Sequence, residues 1–207
     1  MKKKKVRIID KKSVYIDKCV VLGNNIVIYP NNTIMGETVI EDGAIIMPNN
    51  YIENSVIGKN CVIEYSHIVG STIHANTSVG PFARIRNNSE IGEHCRVGNY
   101  VEIKNSTVGD GTKMAHLTYI GDATIGKDCN IGCGVIFVNY NGKNKNRSIV
   151  EDHCFIGSNS NIIAPVHIAT NSYICAGTTI TKDTNPNDFV IGRSTPTIKP
   201  DRANMYW

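Results

Sequence analysis

Aliphatic residues recur along this chain every five or six positions, and the residues between them are small, polar or glycine. Written in register, the sequence reads VVLGNN, IVIYPN, NTIMGE, TVIEDG and AIIMPN, later ARIRNN, SEIGEH, CRVGNY and VEIKNS, then CFIGSN, SNIIAP, VHIATN and SYICAG. The anchors begin at Ile16, Leu22 and Ile28, pass through Ile85, Val97, Ile103, Met114, Ile120, Ile131 and Phe137, and end at Ile180. Only the step from Phe137 to Val150 is long. A period of six fits neither a helix of about 3.6 residues per turn nor one alternating strand. It suits a coil of three short flat strands joined by turns, the hexapeptide β-helix, and about 18 residues per coil predicts nine or ten coils.

The residue two before each anchor is mostly small, as at Ala44, Cys61, Thr77, Ala83, Ser89, Cys95, Thr112, Ala123, Cys129 and Cys154. Positions two apart on a strand face the same way, so both sets are expected to line the interior. Cys61, Cys95, Cys129 and Cys154 are thereby read as small core residues rather than metal ligands. Glycine after the anchor and asparagine near the corners supply the backbone freedom that tight turns need. Each coil buries its apolar face only against its neighbours, so the array needs covered ends. The domain reading is a β-helix over 1–183 with an inserted loop near 138–147, followed by an irregular C-terminal tail over 184–207.

Composition adds little: of 207 residues, 41% are hydrophobic and 19% charged, which is ordinary for a folded chain. No apolar run reaches membrane-spanning length, and the start MKKKKVRIID lacks the apolar stretch of a secretion signal, so a cytoplasmic location without membrane contact is expected. The net charge of +4 is concentrated at the termini and is read as solvated tails, not a nucleic-acid surface. Seven cysteines without a C-x-x-C pair suggest neither a disulfide framework nor a zinc knuckle. His67, His74, His94, His153 and His167 form no ligand pattern, so no metal is expected.

Side chains with chemistry gather around the long step. Arg86 and Lys104 each follow an anchor and are eighteen residues apart, so one coil places them on nearly the same edge. Two stacked cations repel unless an anion bridges them, and phosphate is the natural bridge; a solvated edge is the competing reading. The stretch KMAHLTYIGD sets His116 and Tyr119 between the anchors Met114 and Ile120, hence at the coil edge. An imidazole there is suited to taking a proton from an amine that attacks an acyl donor, although a lone edge histidine is also a common surface residue. The insertion VNYNGKNKNR is polar, basic and carries Tyr140, so it could meet an anion or a sugar.

Together the runs GPFARIR, VGNYVEIKNS, KMAHLTYIGDATIG, VNYNGKNK, FIGSNSNIIAPV, AGTTITKD and VIGR resemble the C-terminal acetyltransferase domain of the bifunctional N-acetylglucosamine-1-phosphate uridyltransferase and glucosamine-1-phosphate N-acetyltransferase family. VRIIDKKSVYID, VIYPNNTIMGETVIEDG and YSHIVGSTI resemble its opening coils, so the likeness covers nearly the whole chain. The resemblance implies a left-handed β-helix that forms a homotrimer, with acetyl-CoA held between subunits. It implies transfer of acetyl to the amine of glucosamine-1-phosphate on the route to UDP-N-acetylglucosamine for the cell wall, without a metal. His116 matches the general base, its tautomer held by a backbone carbonyl; Arg86 and Lys104 match the phosphate grip. Tyr119 and Asn130 match sugar contacts, and Glu102 an acidic residue that orients the amine or Lys104. Cys133, Asn139, Tyr140, Lys145, Ser158, Ala176 and Arg193 match positions near acetyl-CoA.

The chain departs from that family in three places. Nothing resembles the nucleotide-binding domain, so no uridylyl transfer is expected, and a separate uridyltransferase is a possible partner. Cys133 stands where the family has a small alanine; as a nucleophile it is superfluous, because direct attack by the amine suffices. The ending TPTIKPDRANMYW differs from the family's basic tail, and Trp207 could stack on an adenine or pack on a neighbouring subunit. Two alternatives stay beside the main reading: an acetyltransferase for another amino sugar or nucleotide amino sugar, and a non-catalytic trimeric scaffold for a separate uridyltransferase.

Overall fold

The computed structural model describes residues 5–192 and 194–203. The chain winds into a left-handed parallel β-helix of about ten turns. Three sheets of 11, 10 and 9 short parallel strands form its faces, and the chain visits each face once per turn. The first face includes Val6–Ile8, Arg96–Asn99, Lys113–His116 and Asn130–Ile131; the second includes Arg84–Arg86, Glu102–Lys104 and Tyr119–Gly121; the third includes Thr107–Val108 and Ala123–Ile125.

The six-residue pattern dictates this shape. An anchor such as Ile103 or Ile120 points inward and is fully buried, while its neighbours on the strand face out. Anchors stack on anchors across coils, as Ile85 on Ile103 and Ile103 on Ile120. Each buried aliphatic side chain contributes about 1.5–3 kcal/mol. The small residues two before the anchors are buried as expected, including Cys61, Cys95, Cys129 and Cys154. Burial pushes the thiols of Cys61 and Cys95 up to about 11. Such thiols are inert core residues. Ile16 and Leu22 are only partly buried, because they lie in the first coil, which has a neighbour on one side only.

The corners are left-handed. Where the first face turns into the second, Tyr100, Leu117 and Gly134 have φ of 54°, 48° and 72° on successive coils. Where the second turns into the third, Asn105 and Asp122 have φ of 48° and 51°. The long step is an excursion between the strands Ile136–Val138 and Ser148–Val150, closed by an antiparallel bridge from Tyr140 to Lys145. Beyond residue 184 the chain adds one more strand, Phe189–Val190, which pairs with Tyr173–Ile174. The segment expected to be irregular therefore first extends the first face; residues 194–203 carry no strand.

Candidate active site

The corner from the first to the second face carries His116. Its backbone is fixed on both sides: Leu117 N–H donates to Asn99 O at 3.0 Å, and Gly134 N–H donates to His116 O at 3.3 Å. Thr118 Oγ1 also donates to His116 O, at 2.7 Å. The imidazole is exposed, and its Nδ1 lies 2.6 Å from Asn99 Oδ1. With the amide oxygen as acceptor, Nδ1 carries the proton and Nε2 presents a lone pair. The expected backbone carbonyl is thus replaced by a side chain. Asn99 and His116 are strand partners one coil apart, which is why the amide reaches the ring.

Cys133, Ser158 and Ala176 stand two residues beyond the anchors Ile131, Ile156 and Ile174, the same place that His116 has relative to Met114. These anchors stack in register, so the four residues form one column along this corner. Backbone hydrogen bonds from Asn159 N to Cys133 O and from Gly177 N to Ser158 O, both 2.8 Å, continue the column. Glycines keep it close-packed: a Cβ on Gly132 would meet Ser158 N at 2.6 Å. Asn130 lies on the outer surface of the first face, between Lys113 and Phe155.

The other end of the second-face strands carries the charges. Arg86 and Lys104 are strand partners, as their spacing predicts. They do not face each other uncompensated, however. Arg86 donates from Nη2 at 2.6 Å and from Nε at 3.0 Å to Glu102 Oε1. Lys104 is only 8% exposed, and its Nζ lies 3.3 Å from Asp122 Oδ2. Asn105 Nδ2 donates to Asp122 Oδ1 at 2.5 Å, and Asn139 Nδ2 donates to Asp122 Oδ2. Burial works against the Asp122 charge, but the hydrogen bonds from Asn105, Asn139 and Lys104 hold the carboxyl below its usual range.

Lys145 reaches this cluster from the inserted loop. Burial opposes the charge on Lys104, yet the Asp122 carboxylate beside it holds it above the ordinary lysine value. The exposed Lys145 is held below that value by the Lys104 ammonium beside it. Three cations, Arg86, Lys104 and Lys145, thus share two carboxylates, Glu102 and Asp122, and one positive charge is left over. Arg147 pins the far end of the loop with bonds to Asn105 O at 3.1 Å and Ala123 O at 2.7 Å.

Tyr119 connects the two ends. It is the strand partner of Glu102, and its phenol oxygen lies over Gly121, in the space that a Cβ there would occupy. Tyr140 is exposed, and its hydroxyl donates to Gly142 O at 2.7 Å. Arg193 lies outside the described residues, as does Trp207. Of the predicted residues, Arg86, Glu102, Lys104, Tyr119, Asn139 and Lys145 form one cluster, and His116, Cys133, Ser158 and Ala176 form one column. Lys145, grouped by resemblance with the coenzyme positions, lies at the charged end. Asn99 and Asp122 are new; the signal for both was their distance of seventeen residues from His116 and Asn105. Among the described residues no group of three or more His, Cys, Asp or Glu is placed to hold a metal ion, and no helix is long and apolar enough to cross a membrane.

Residues 67–140 match the family described as the GMPPB C-terminal domain, and residues 148–182 match the hexapeptide repeat of succinyl-transferase. The bifunctional protein GlmU of Clostridium beijerinckii is 49% identical over 91% of this chain and 42% of its own length. That of Clostridium acetobutylicum is 45% identical over 93% of this chain and 42% of its own. The chain thus spans about two fifths of the length of these relatives. Among solved structures, the UDP-N-acetylglucosamine acyltransferase of Francisella novicida superposes with a TM-score of 0.63 at 15% identity, over 86% of this chain and 64% of that one. The Arabidopsis enzyme of that name gives 0.57 at 21%, over 85% and 68%. At such identities these two likenesses speak for the fold. Fold, repeat and sequence agree that the chain is a hexapeptide-repeat protein, with the bifunctional GlmU proteins as its sequence relatives.

Proposed function

We propose that the chain is an acetyl-CoA-dependent N-acetyltransferase that converts glucosamine-1-phosphate to N-acetylglucosamine-1-phosphate, a step toward UDP-N-acetylglucosamine. The observation that carries this reading is the pairing of a histidine whose Nε2 is open with a surplus of positive charge along one short strand. His116 precedes Tyr119–Gly121 and the Lys104–Asp122 cluster follows it. Three residues of strand span about 10 Å. Arg86 reaches back along this face to Glu102, toward the His116 end. An amino sugar with its amine and phosphate on adjacent carbons fits such a strip, with its phosphate on Arg86, Lys104 and Lys145, and Tyr119, Asn130 and Glu102 around the ring.

His116 Nε2 takes the proton as the neutral amine attacks the thioester carbonyl, and Asn99 steadies the imidazolium that forms. The backbone N–H of Cys133, one coil from His116, is the donor offered to the oxyanion. Collapse of the tetrahedral adduct expels coenzyme A as its thiol. The small-residue column Cys133–Ser158–Ala176 gives the coenzyme a path continuous with the base. Asn139, Tyr140 and Arg193 complete its site in a homotrimer whose subunits share each site. A cytoplasmic location and a partnership with a separate uridyltransferase accord with this role.

The test is thiol release from acetyl-CoA with a panel of amino sugars. Glucosamine-1-phosphate is expected to be the preferred acceptor, and His116→Ala to lose activity by a factor of about 100 to 10,000. Turnover with another amino sugar but not this one would remove the acceptor assignment, and an active His116→Ala protein would remove the base.

A further inference from the structure

We infer that Asp122 is a positioning residue for acceptor recognition: its carboxylate places Lys104 at the anion site and, through Asn139, places the inserted segment 139–147 beside it, which favours a phosphorylated acceptor over its unphosphorylated form. The inference rests on the acceptor reading above. The turn does not explain the charge at this position. Asn105, one coil earlier at the same corner, adopts the same left-handed backbone with an amide. An asparagine at 122 would make the turn equally well. The carboxylate is nonetheless buried with both oxygens occupied, Oδ1 by Asn105 and Oδ2 by Lys104 and Asn139.

These partners come from two segments that must act together. Lys104 belongs to the second face, whereas Asn139 is the first residue of the excursion that returns Lys145 to Lys104. Arg147 fastens the other end of that excursion to Asn105 and Ala123, so Asp122 is the matching fastening at the start. The groups that set the charge of Lys104 are Asp122 and Tyr119 on the next coil and Lys145 on the excursion; Arg86 in turn acts on Lys145. Without Asp122, Lys104 keeps its burial and its cationic neighbour and loses its anion. Its ammonium then gives up its proton at lower pH, and the excursion loses its first tether.

The experiment is a double-mutant cycle of Asp122→Asn and Lys104→Gln. Inorganic phosphate binding is followed by calorimetry from neutral to alkaline pH, and turnover is measured with glucosamine-1-phosphate and with glucosamine. Asp122→Asn is expected to weaken phosphate binding about tenfold at the alkaline end and less at neutrality. It should raise KM for the phosphorylated acceptor without an equal loss of kcat, and by a larger factor than for glucosamine. Both effects should shrink in the Lys104→Gln background, where only the tether of the excursion remains to be lost. An equal cost of Asp122→Asn in both backgrounds, an equal loss with both acceptors, or a wild type that binds no phosphate would overturn the inference. If the wild type turns over no glucosamine-1-phosphate, the acceptor reading falls alone; the phosphate-binding cycle then decides, with coupling to Lys104 supporting the role of Asp122 and its absence ending it.

Discussion

Replacing Asn99 by alanine isolates the contribution of a residue that touches His116 and is assigned no contact with either substrate. The bond at stake is His116 Nδ1 to Asn99 Oδ1, 2.6 Å long. On the proposed mechanism it joins two neutral groups before transfer, and once His116 has taken the amine proton it joins an imidazolium to an amide oxygen. Hydrogen bonds to charged groups are worth about 1.5–3 kcal/mol against about 0.5–1.5 for neutral ones. The difference, about 1–1.5 kcal/mol, is made only as the proton moves, and at about 1.4 kcal/mol per decade it corresponds to roughly a 5- to 10-fold fall in kcat. Water can reach this exposed corner and replace part of the bond, so the loss should not exceed that range by much. KM for both substrates should stay near the wild-type values, because binding happens before the imidazole is charged. Thiol release under saturation, for the wild type, Asn99→Ala, His116→Ala and the double variant, reads this directly. Asn99→Ala should add nothing once His116 is gone. A kcat within about twofold of wild type, or an equal further loss in the His116→Ala background, would refute the argument.

Other perturbations test the framework. Phe137 is fully buried at the coil that precedes the excursion, so Phe137→Ala should cost about 3–5 kcal/mol in urea unfolding. A thiol reagent should modify exposed Cys19 rapidly and half-buried Cys133 more slowly in the native protein, with the five buried cysteines released only on unfolding. Asp122 has a folded-state pKa below its unfolded value, so its ionisation stabilises the fold above about pH 4 and that contribution is lost as pH falls through the folded value. The melting temperatures of wild type and Asp122→Asn should accordingly differ at neutral pH and converge in acid; a pH-independent gap would deny the linkage.

What the sequence disclosed and what it withheld follow from the same repeat. The interior is legible because each coil imposes the same demand at the same phase. Ile85, Ile103 and Ile120 must be apolar whatever surrounds them, and their period alone yields the three faces and the stacking of Arg86 on Lys104. The outer surface obeys no such demand. Whether two cations there are compensated depends on side chains a coil away whose phase shifts between five- and six-residue steps. Glu102 and Asp122 neutralise Arg86 and Lys104 from sixteen and eighteen residues away, so the repulsion argued from spacing is relieved within the chain. The case for an anion then passes to Lys145, which arrives through an excursion that breaks the period and whose return path no periodicity encodes. Asn99 makes the same point at the other corner. It occupies the position of His116 one coil earlier, so the register names it as a neighbour; only the left-handed turn at Tyr100 and Leu117 brings its amide to the ring. Chemistry in such a fold is therefore written in pairs of outward residues one coil apart, and a search for those pairs is the part of the reading that a sequence alone can still supply.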